Sequence, residues 1–192
     1  RKNVKRPPQP LNRSEVYALL ATCRRERAAV RDRAFLTLAW RTGLRCKEIL
    51  SLRIADIDFP RGEITVMHGK GDVRRVVGID STAQDALTHW LTQRERDCYL
   101  LPDSPVFCTW LGLPVASRTI RKMFARRGRV SGIGKRVHCH GMRHTLAREL
   151  SDERRPLHQI AGVLGHSTVV TTSIYLRALA GPEVVDLMRK RL

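Results

Sequence analysis

The sequence lacks any long apolar run. No stretch of its 192 residues provides the ~18 consecutive apolar residues that a membrane-spanning helix needs. The first ten residues are basic and rich in proline, without the apolar core of a secretion signal. We therefore expect a soluble, cytoplasmic protein with no membrane partner.

Motifs that hold disulfides, metals or nucleotides are also missing. The five cysteines are an odd number and include no C-x-x-C pair, which argues against a disulfide framework or a zinc finger. His138, Cys139 and His140 are adjacent and would point in different directions, so we predict no metal site. The sequence has no G-x-x-x-x-G-K-[ST] loop for ATP and no carboxylate cluster for magnesium. No cofactor is expected.

Acidic residues are scarce. Aspartate and glutamate total 18 against 36 lysine and arginine, which gives a net charge of +18. Arginine predominates among the basic residues, and its fork of donors grips phosphate bidentately. These features favour a nucleic-acid partner. A basic solvated surface or a membrane-surface binder are the alternatives.

Hydrophobic periodicity predicts a mainly α-helical fold with a small antiparallel β-sheet, an α+β domain. Strands at 62–68 and 73–79 flank a turn at 69–72, and residues 57–59 can add a third strand. Asn12 with Glu15 forms a capping box for the first helix. The other predicted helices span 31–42, a short stretch after Leu44, 81–97 capped by Ser81, 117–127 capped by Ser117, 140–150, and 157–164 ended by Gly165; one more holds Tyr175 and the last follows Pro182.

Basic side chains crowd one face of the helix at 117–127, including Arg126 and Arg127, and Gly128 is expected to begin a basic loop. Such a face suits contact with a DNA backbone; a solvated face is the alternative. The candidates for backbone contact are Arg74, Arg75, Arg118, Arg121 and Lys122.

Four short segments carry chemically useful residues in order along the chain. They are 42–50, with Arg45 and Glu48; 69–71, with Lys70; 140–145, with His140 and Arg143; and 164–167 followed by 171–175, with His166 and Tyr175.

These ordered segments resemble the tyrosine recombinase (phage integrase) family from about residue 11 to 180. The resemblance implies the family's catalytic domain, which cleaves and rejoins double-stranded DNA through a 3′-phosphotyrosyl intermediate. It implies that Tyr175 attacks a scissile phosphate. The surrounding residues would be Arg45, Lys70, His140, Arg143 and His166.

Physical chemistry supports these assignments. Two arginine forks, from Arg45 and Arg143, can neutralise the transition-state charge on phosphate oxygens without a metal ion. An ordinary tyrosine has a pKa of about 10 and is only about 0.1% phenolate at pH 7, so it needs a base. His140 is the candidate base, on one helical face with Arg143. Glu48 can hold Arg45 in place.

The resemblance assigns two further roles and has three departures. Lys70 would be the general acid for the leaving sugar hydroxyl, and His166 would donate a hydrogen bond to a phosphate oxygen. Gly141 stands where the family usually has an acidic residue, Met142 where leucine is usual, and Val73 where a basic residue is frequent.

Each residue alone has an ordinary interpretation as a surface, turn, cap or packing residue. The ordered set favours the enzyme over two alternatives, a non-catalytic DNA-binding accessory protein and a type IB topoisomerase-like strand relaxation. Residues 1–10 are interpreted as an interdomain linker after an absent N-terminal DNA-binding domain, and 11–180 as the catalytic domain. Residues 181–192 are predicted to be a tail helix that docks on a neighbouring protomer, in a homotetramer on nucleoid DNA.

Overall fold

The computed structural model describes residues 9–24, 26, 28–68 and 73–165. Within these ranges the chain is mostly helical with one small antiparallel sheet, which confirms the predicted fold class. The helices are α1 (Arg13–Ala21), α2 (Ala29–Thr42), α3 (Cys46–Ser51), α4 (Ser81–Glu95), α5 (Ser117–Val130), α6 (Cys139–Asp152) and α7 (Leu157–Leu164). The strands are β1 (Ile57–Asp58), β2 (Glu63–His68) and β3 (Val73–Gly78). None of the helices described is long and apolar enough to cross a lipid bilayer.

Helix α2 forms the centre of the domain and packs against α4 and α6. Eleven of its fourteen residues are buried, and these include the charged Arg31 and Asp32 as well as the apolar residues of 34–40. Its Phe35 makes edge-to-face contacts with Phe107 and Phe124, at ring-centroid distances of 5.0 and 6.2 Å. The helix ends at Gly43, whose left-handed backbone (φ 62°) turns the chain toward α3.

The three strands lie in the order β1-β2-β3, and all pairs are antiparallel. Ile64 and Val66 of β2 face the core, and Val66 is paired with Arg75 of β3. Because side chains alternate between faces along a strand, Arg75 shares the inner face while Arg74 lies on the outer one.

Two helix starts differ from the sequence predictions. The N-cap of α4 is Asp80 rather than Ser81, because the Asp80 carboxylate accepts a hydrogen bond from the Ala83 backbone N–H at 3.0 Å. Helix α5 is preceded by Ala116 and has no side-chain cap, so the predicted cap by Ser117 is wrong.

Helix α5 also extends beyond its predicted end. It continues to Val130, and Gly128 is part of the helix rather than the start of a loop. A Cβ at Gly128 would lie 2.8 Å from side-chain atoms of Val137. The glycine therefore allows the 133–140 segment to pass close against the helix.

Arg127 belongs to the core and not to the basic face of α5 where the sequence placed it. Its side chain is 2% exposed, and its guanidinium donates to the Asp32 carboxylate at 2.8 Å and to the Thr22 carbonyl at 2.6 Å. The arginine thus ties α5 to the first turn of α2 and to the end of α1. A buried carboxylate on α2 requires such a charged partner.

Candidate active site

Glu48 organises the start of α3. Its carboxylate accepts hydrogen bonds from the backbone N–H of Arg45 at 2.7 Å and from the Arg45 guanidinium at 2.9 Å. Glu48 is buried, whereas the Arg45 side chain is 40% exposed. Arg45 is therefore held through both its backbone N–H and its guanidinium, and its side chain stays partly open to solvent. The predicted proximity of Glu48 to Arg45 is present in the structure.

A second arginine reaches Glu48 from the sheet. Both terminal nitrogens of Arg75 donate to the Glu48 carboxylate at 3.0 Å, in a two-pronged pair. Arg75 was a candidate for DNA-backbone contact, but its side chain is only 16% exposed and lies inside the site. The structure therefore places Arg75 as a support for Glu48 and Arg45.

These contacts fix the charge of Glu48. Its burial disfavours the ionised carboxylate, but hydrogen bonds from Arg75 and from the backbone and side chain of Arg45 outweigh that effect and hold its pKa at about 2. The carboxylate is consequently ionised at neutral pH, and each of its oxygens has an arginine partner.

Arg143 enters the site from α6. Its side chain is almost fully buried, and its guanidinium donates a hydrogen bond to the Gly43 carbonyl at 2.7 Å. Gly43 lies two residues before Arg45, so this bond joins α6 to the segment that carries Arg45. A Cβ at Gly43 would also lie 3.7 Å from the Arg143 side chain.

His140 lies one turn before Arg143 at the start of α6, with an exposed edge. The surrounding protein lowers its pKa from the ordinary value by desolvation, and the charges of Arg143, His138 and Arg45 lower it further. Arg143 lies on the same helix as His140, and its hydrogen bond to the Gly43 carbonyl brings the segment that carries Arg45 to the same site. His140 is therefore mainly neutral at pH 7 and is able to accept a proton.

His144 supports the His140 ring. The two rings meet edge to face with centroids 4.6 Å apart. Burial of His144, together with the neighbouring charges of His140, His138 and Arg143, lowers its pKa to about 4. The i, i+4 spacing of His144 from His140 is the sequence signal that identifies it as a packing partner.

Three sequence-predicted site residues lie outside the described residues. They are Lys70, His166 and Tyr175. Gly165, which precedes His166 in sequence, is described, and a Cβ there would lie 2.7 Å from the Arg75 guanidinium. Gly165, the last described residue, therefore packs closely against Arg75, the arginine that binds Glu48.

The other candidates for DNA-backbone contact are on the surface. Arg74 on the outer face of β3 is exposed, as are three residues on one side of α5, namely Arg118, Arg121 and Lys122. Their exposure is compatible with a role in DNA contact, which stays a prediction. Among the described residues, no group of three or more His, Cys, Asp or Glu side chains is positioned to hold a metal ion.

Comparison with known proteins identifies the family. A model of the phage integrase family matches residues 9–181. Tyrosine recombinase XerC of Yersinia pestis is 33% identical over 168 residues, which cover 88% of this chain and 54% of XerC. The chain thus spans about half the length of the curated relatives it matches.

Two solved recombinase structures share the fold. The crystal structure of XerA recombinase has a TM-score of 0.82 and 27% identity, over 97% of this chain and 66% of XerA. XerH site-specific recombinase, in a post-cleavage complex with a palindromic difH substrate, has a TM-score of 0.77 and 27% identity, over 91% of this chain and 52% of XerH. The chain belongs to the phage integrase family and has the fold of a tyrosine recombinase catalytic domain.

Proposed function

We propose that this chain is the catalytic domain of a site-specific DNA recombinase or integrase. It cleaves one strand of double-stranded DNA by attack of Tyr175 on a phosphate, forms a 3′-phosphotyrosyl bond, and rejoins the strand to a new 5′-hydroxyl. The bond to tyrosine preserves the energy of the phosphodiester, so the reaction needs neither ATP nor a metal ion.

The convergence of Arg45, Arg143 and His140 is the observation that carries this proposal. The three side chains come from two segments about 100 residues apart in sequence, and one hydrogen bond, from Arg143 to the Gly43 carbonyl, joins these segments. Two arginines beside a largely neutral imidazole suit a phosphate whose negative charge grows in the transition state. The arginines stabilise the oxygens, and the imidazole is available as a base.

Each guanidinium in the site is held in place before substrate binds. Glu48 fixes Arg45, and the Gly43 carbonyl fixes Arg143. An arginine has five N–H donors, so Arg143 can hold this carbonyl and a phosphate oxygen at the same time. Such preorganisation is the property that makes charged groups effective in catalysis, because they need not reorient during the reaction.

We assign the proton transfers as follows. His140 accepts the phenol proton of Tyr175 as the new P–O bond forms. Lys70 donates a proton to the 5′-oxygen of the leaving strand as the old P–O bond breaks, and His166 donates a hydrogen bond to a non-bridging oxygen. The roles of Lys70, His166 and Tyr175 rest on the family pattern, since these residues lie outside the described residues.

Duplex DNA is the proposed partner. The net charge of +18 and the exposed basic residues of β3 and α5 support backbone contacts through Arg74, Arg118, Arg121 and Lys122. The XerH complex with difH is a family precedent. We further propose the linker, catalytic and tail division at residues 10 and 180, assembly as a homotetramer through 181–192, and a place on cytoplasmic nucleoid DNA.

Covalent capture tests the reaction. Duplexes that bind the protein are selected from a random library, nicked beside the cleavage position so that the released fragment diffuses away, and labelled at the 5′ end of the cleaved strand. We expect a labelled protein adduct on a denaturing gel. The adduct should be absent with Tyr175→Phe and present with the control Tyr99→Phe, because Tyr99 is a fully exposed loop residue.

Other outcomes separate the alternatives. DNA binding without any adduct would contradict the enzymatic proposal and favour an accessory DNA-binding protein. An adduct accompanied by relaxed circles, but no exchanged strands, would favour topoisomerase-like activity.

A further inference from the structure

Two cysteines lie together beside the proposed catalytic residues. Cys46 immediately follows Arg45, and Cys139 immediately precedes His140. Both line a cavity of about 760 Å³ between α3, α5 and the 133–140 segment. The sequence separates the two thiols by more than 90 positions, so no sequence motif indicated that they meet.

The two thiols interact with each other at this cavity wall. Each is the largest influence on the pKa of the other, and the two directions are those of a Cys139 thiol that keeps its proton beside the Cys46 sulfur. Cys139 is buried, and Cys46 is half-buried at the cavity wall. The remaining cysteines have other partners: Cys98 donates to the Trp110 carbonyl, Cys23 interacts with Thr22, and Cys108 with Arg94.

Their environments give the two sulfurs different reactivity. The hydrogen bond from Cys139 and the charge of Arg121 lower the pKa of Cys46, although partial burial opposes them. The same hydrogen bond, together with burial, raises the pKa of Cys139. Thiolate is the reactive form of cysteine, so Cys46 is the sulfur that reacts first with an oxidant in the cavity, and Cys139 then displaces the oxidised group to form the disulfide.

We propose that Cys46 and Cys139 form a reversible disulfide when the protein meets hydrogen peroxide, and that this bond moves Arg45 and His140 out of their working positions. The disulfide itself is independent of the activity proposed above, whereas its effect on DNA cleavage rests on that proposal.

The oxidation balances in two steps. The Cys46 thiolate attacks one peroxide oxygen, the O–O bond breaks, and hydroxide leaves to take up a proton, which gives a sulfenic acid and water. The Cys139 sulfur then attacks the Cys46 sulfur, the S–O bond breaks, and the leaving hydroxide takes the Cys139 proton as a second water. Two thiols are oxidised and one peroxide is reduced.

The geometric consequence follows from bond lengths. A disulfide brings two non-bonded sulfurs to about 2.05 Å and imposes its own dihedral preference. The two backbones that must adjust carry Arg45 and His140 at the next positions. A misplacement of about 1 Å in an active site can reduce a rate about 100-fold.

The test begins with the disulfide. The full 192-residue chain is reduced, treated with hydrogen peroxide, alkylated and digested. We expect a Cys46–Cys139 linked peptide that dithiothreitol removes, in the wild type and in the control Cys98→Ser, and no linked peptide in Cys46→Ser or Cys139→Ser. Oxidation of Cys46 to sulfinic acid without this peptide would overturn the proposal.

Two readouts follow the consequence. In the covalent-capture assay we expect peroxide to reduce wild-type adduct formation at least about tenfold, with recovery in dithiothreitol, and to spare Cys46→Ser. The imidazole resonances of His140 should shift on oxidation of the wild type alone. A complete disulfide with unchanged adduct and unchanged His140 resonances would overturn the displacement. If the reduced protein forms no adduct but the His140 resonances still shift on oxidation, the displacement of His140 is supported. That outcome would count only against the proposed function.

Discussion

Replacing Glu48 with glutamine tests how the site holds its arginines. The carboxylate accepts four hydrogen bonds of 2.7 to 3.0 Å, from Arg75 and from the backbone and side chain of Arg45. Glutamine has the same shape but no charge, and its amide nitrogen would donate toward an arginine that can only donate. The substitution therefore leaves two guanidinium groups without this anionic partner, and Arg75, the less exposed of the two, is affected most.

The lowered pKa of Glu48 sets the expected magnitude. The difference between the ordinary carboxyl value of 4.5 and about 2 corresponds to about 3 kcal/mol of stability. Removal of one member of a buried ion pair costs about 3–5 kcal/mol in other proteins. Because Arg45 is partly solvated, we expect Glu48→Gln to lower the free energy of unfolding at pH 7 by about 2–3 kcal/mol.

The sign of the pH dependence follows from the same pKa. The folded-state value lies below the unfolded one, so the stabilisation is complete above pH 4.5 and is lost as pH falls toward about 2. The stability difference between wild type and Glu48→Gln should therefore shrink with acidification. Urea unfolding followed by tryptophan fluorescence, from about pH 7 to about pH 3.5, measures it.

Glu149→Gln is the control, at a glutamate that is half-buried. Burial raises the pKa of Glu149 despite a hydrogen bond from the Trp40 indole N–H at 2.9 Å. Its Oε1 has no hydrogen-bond partner among the described residues. Because the pKa of Glu149 is higher in the folded than in the unfolded state, its protonation stabilises the fold as pH falls. The free energy of unfolding of the wild type should therefore rise relative to that of Glu149→Gln on acidification. A Glu48→Gln loss below about 0.5 kcal/mol, or one independent of pH, would refute the argument.

Three further predictions concern the described residues. Gly43→Ala should cost at least about 1 kcal/mol in urea unfolding, because φ is 62° and the new Cβ would lie 3.0 Å from two leucine methyl groups; an unchanged midpoint would contradict this. Arg127→Met, which leaves Asp32 with less compensation in the core, should cost about 3 kcal/mol or more, whereas Arg126→Met, at 42% exposure, should cost about 1 kcal/mol or less; equal losses would disprove the distinction. If His140 is the base, the rate of adduct formation should decline only below pH 6.5, the ordinary pKa of histidine, because the pKa of His140 is lowered. His140→Gln should remove this decline at acidic pH.

Local sequence rules predicted the elements of this domain but not which side of them would be buried. The alternation on both sides of 69–72 predicted the antiparallel pairing of β2 with β3, which is present; the turn itself lies outside the described residues. The same alternation implies that Arg74 and Arg75 lie on opposite faces, yet both were assigned to DNA contact. Which of the two arginines lies on the inner face is decided by Val66, which is paired with Arg75 and is buried. Burial of that face is a property of the packed domain.

The site itself depends on contacts that local patterns do not carry. The order of motifs predicted that Arg45, His140 and Arg143 work together, and the structure brings them to one place. The bond that aligns them, from Arg143 to the Gly43 carbonyl, spans 100 positions and uses a backbone atom that every residue has. No residue type could indicate it.

Buried charge offers a signal that sequence reasoning can use. Arg127 looked like its exposed neighbours on α5, because an arginine reveals nothing of its own burial. Asp32, however, is the one acidic residue of α2; Arg31 and Arg33 flank it, and the apolar stretch 34–40, interrupted only by Thr37, follows it. A carboxylate at such a position must be compensated, and in a chain with twice as many basic as acidic residues the partner is most readily an arginine from a helix packed nearby. An isolated acidic residue in a central helix therefore predicts that one arginine of a basic helix points inward, and the face opposite that arginine is the one left to bind an anion.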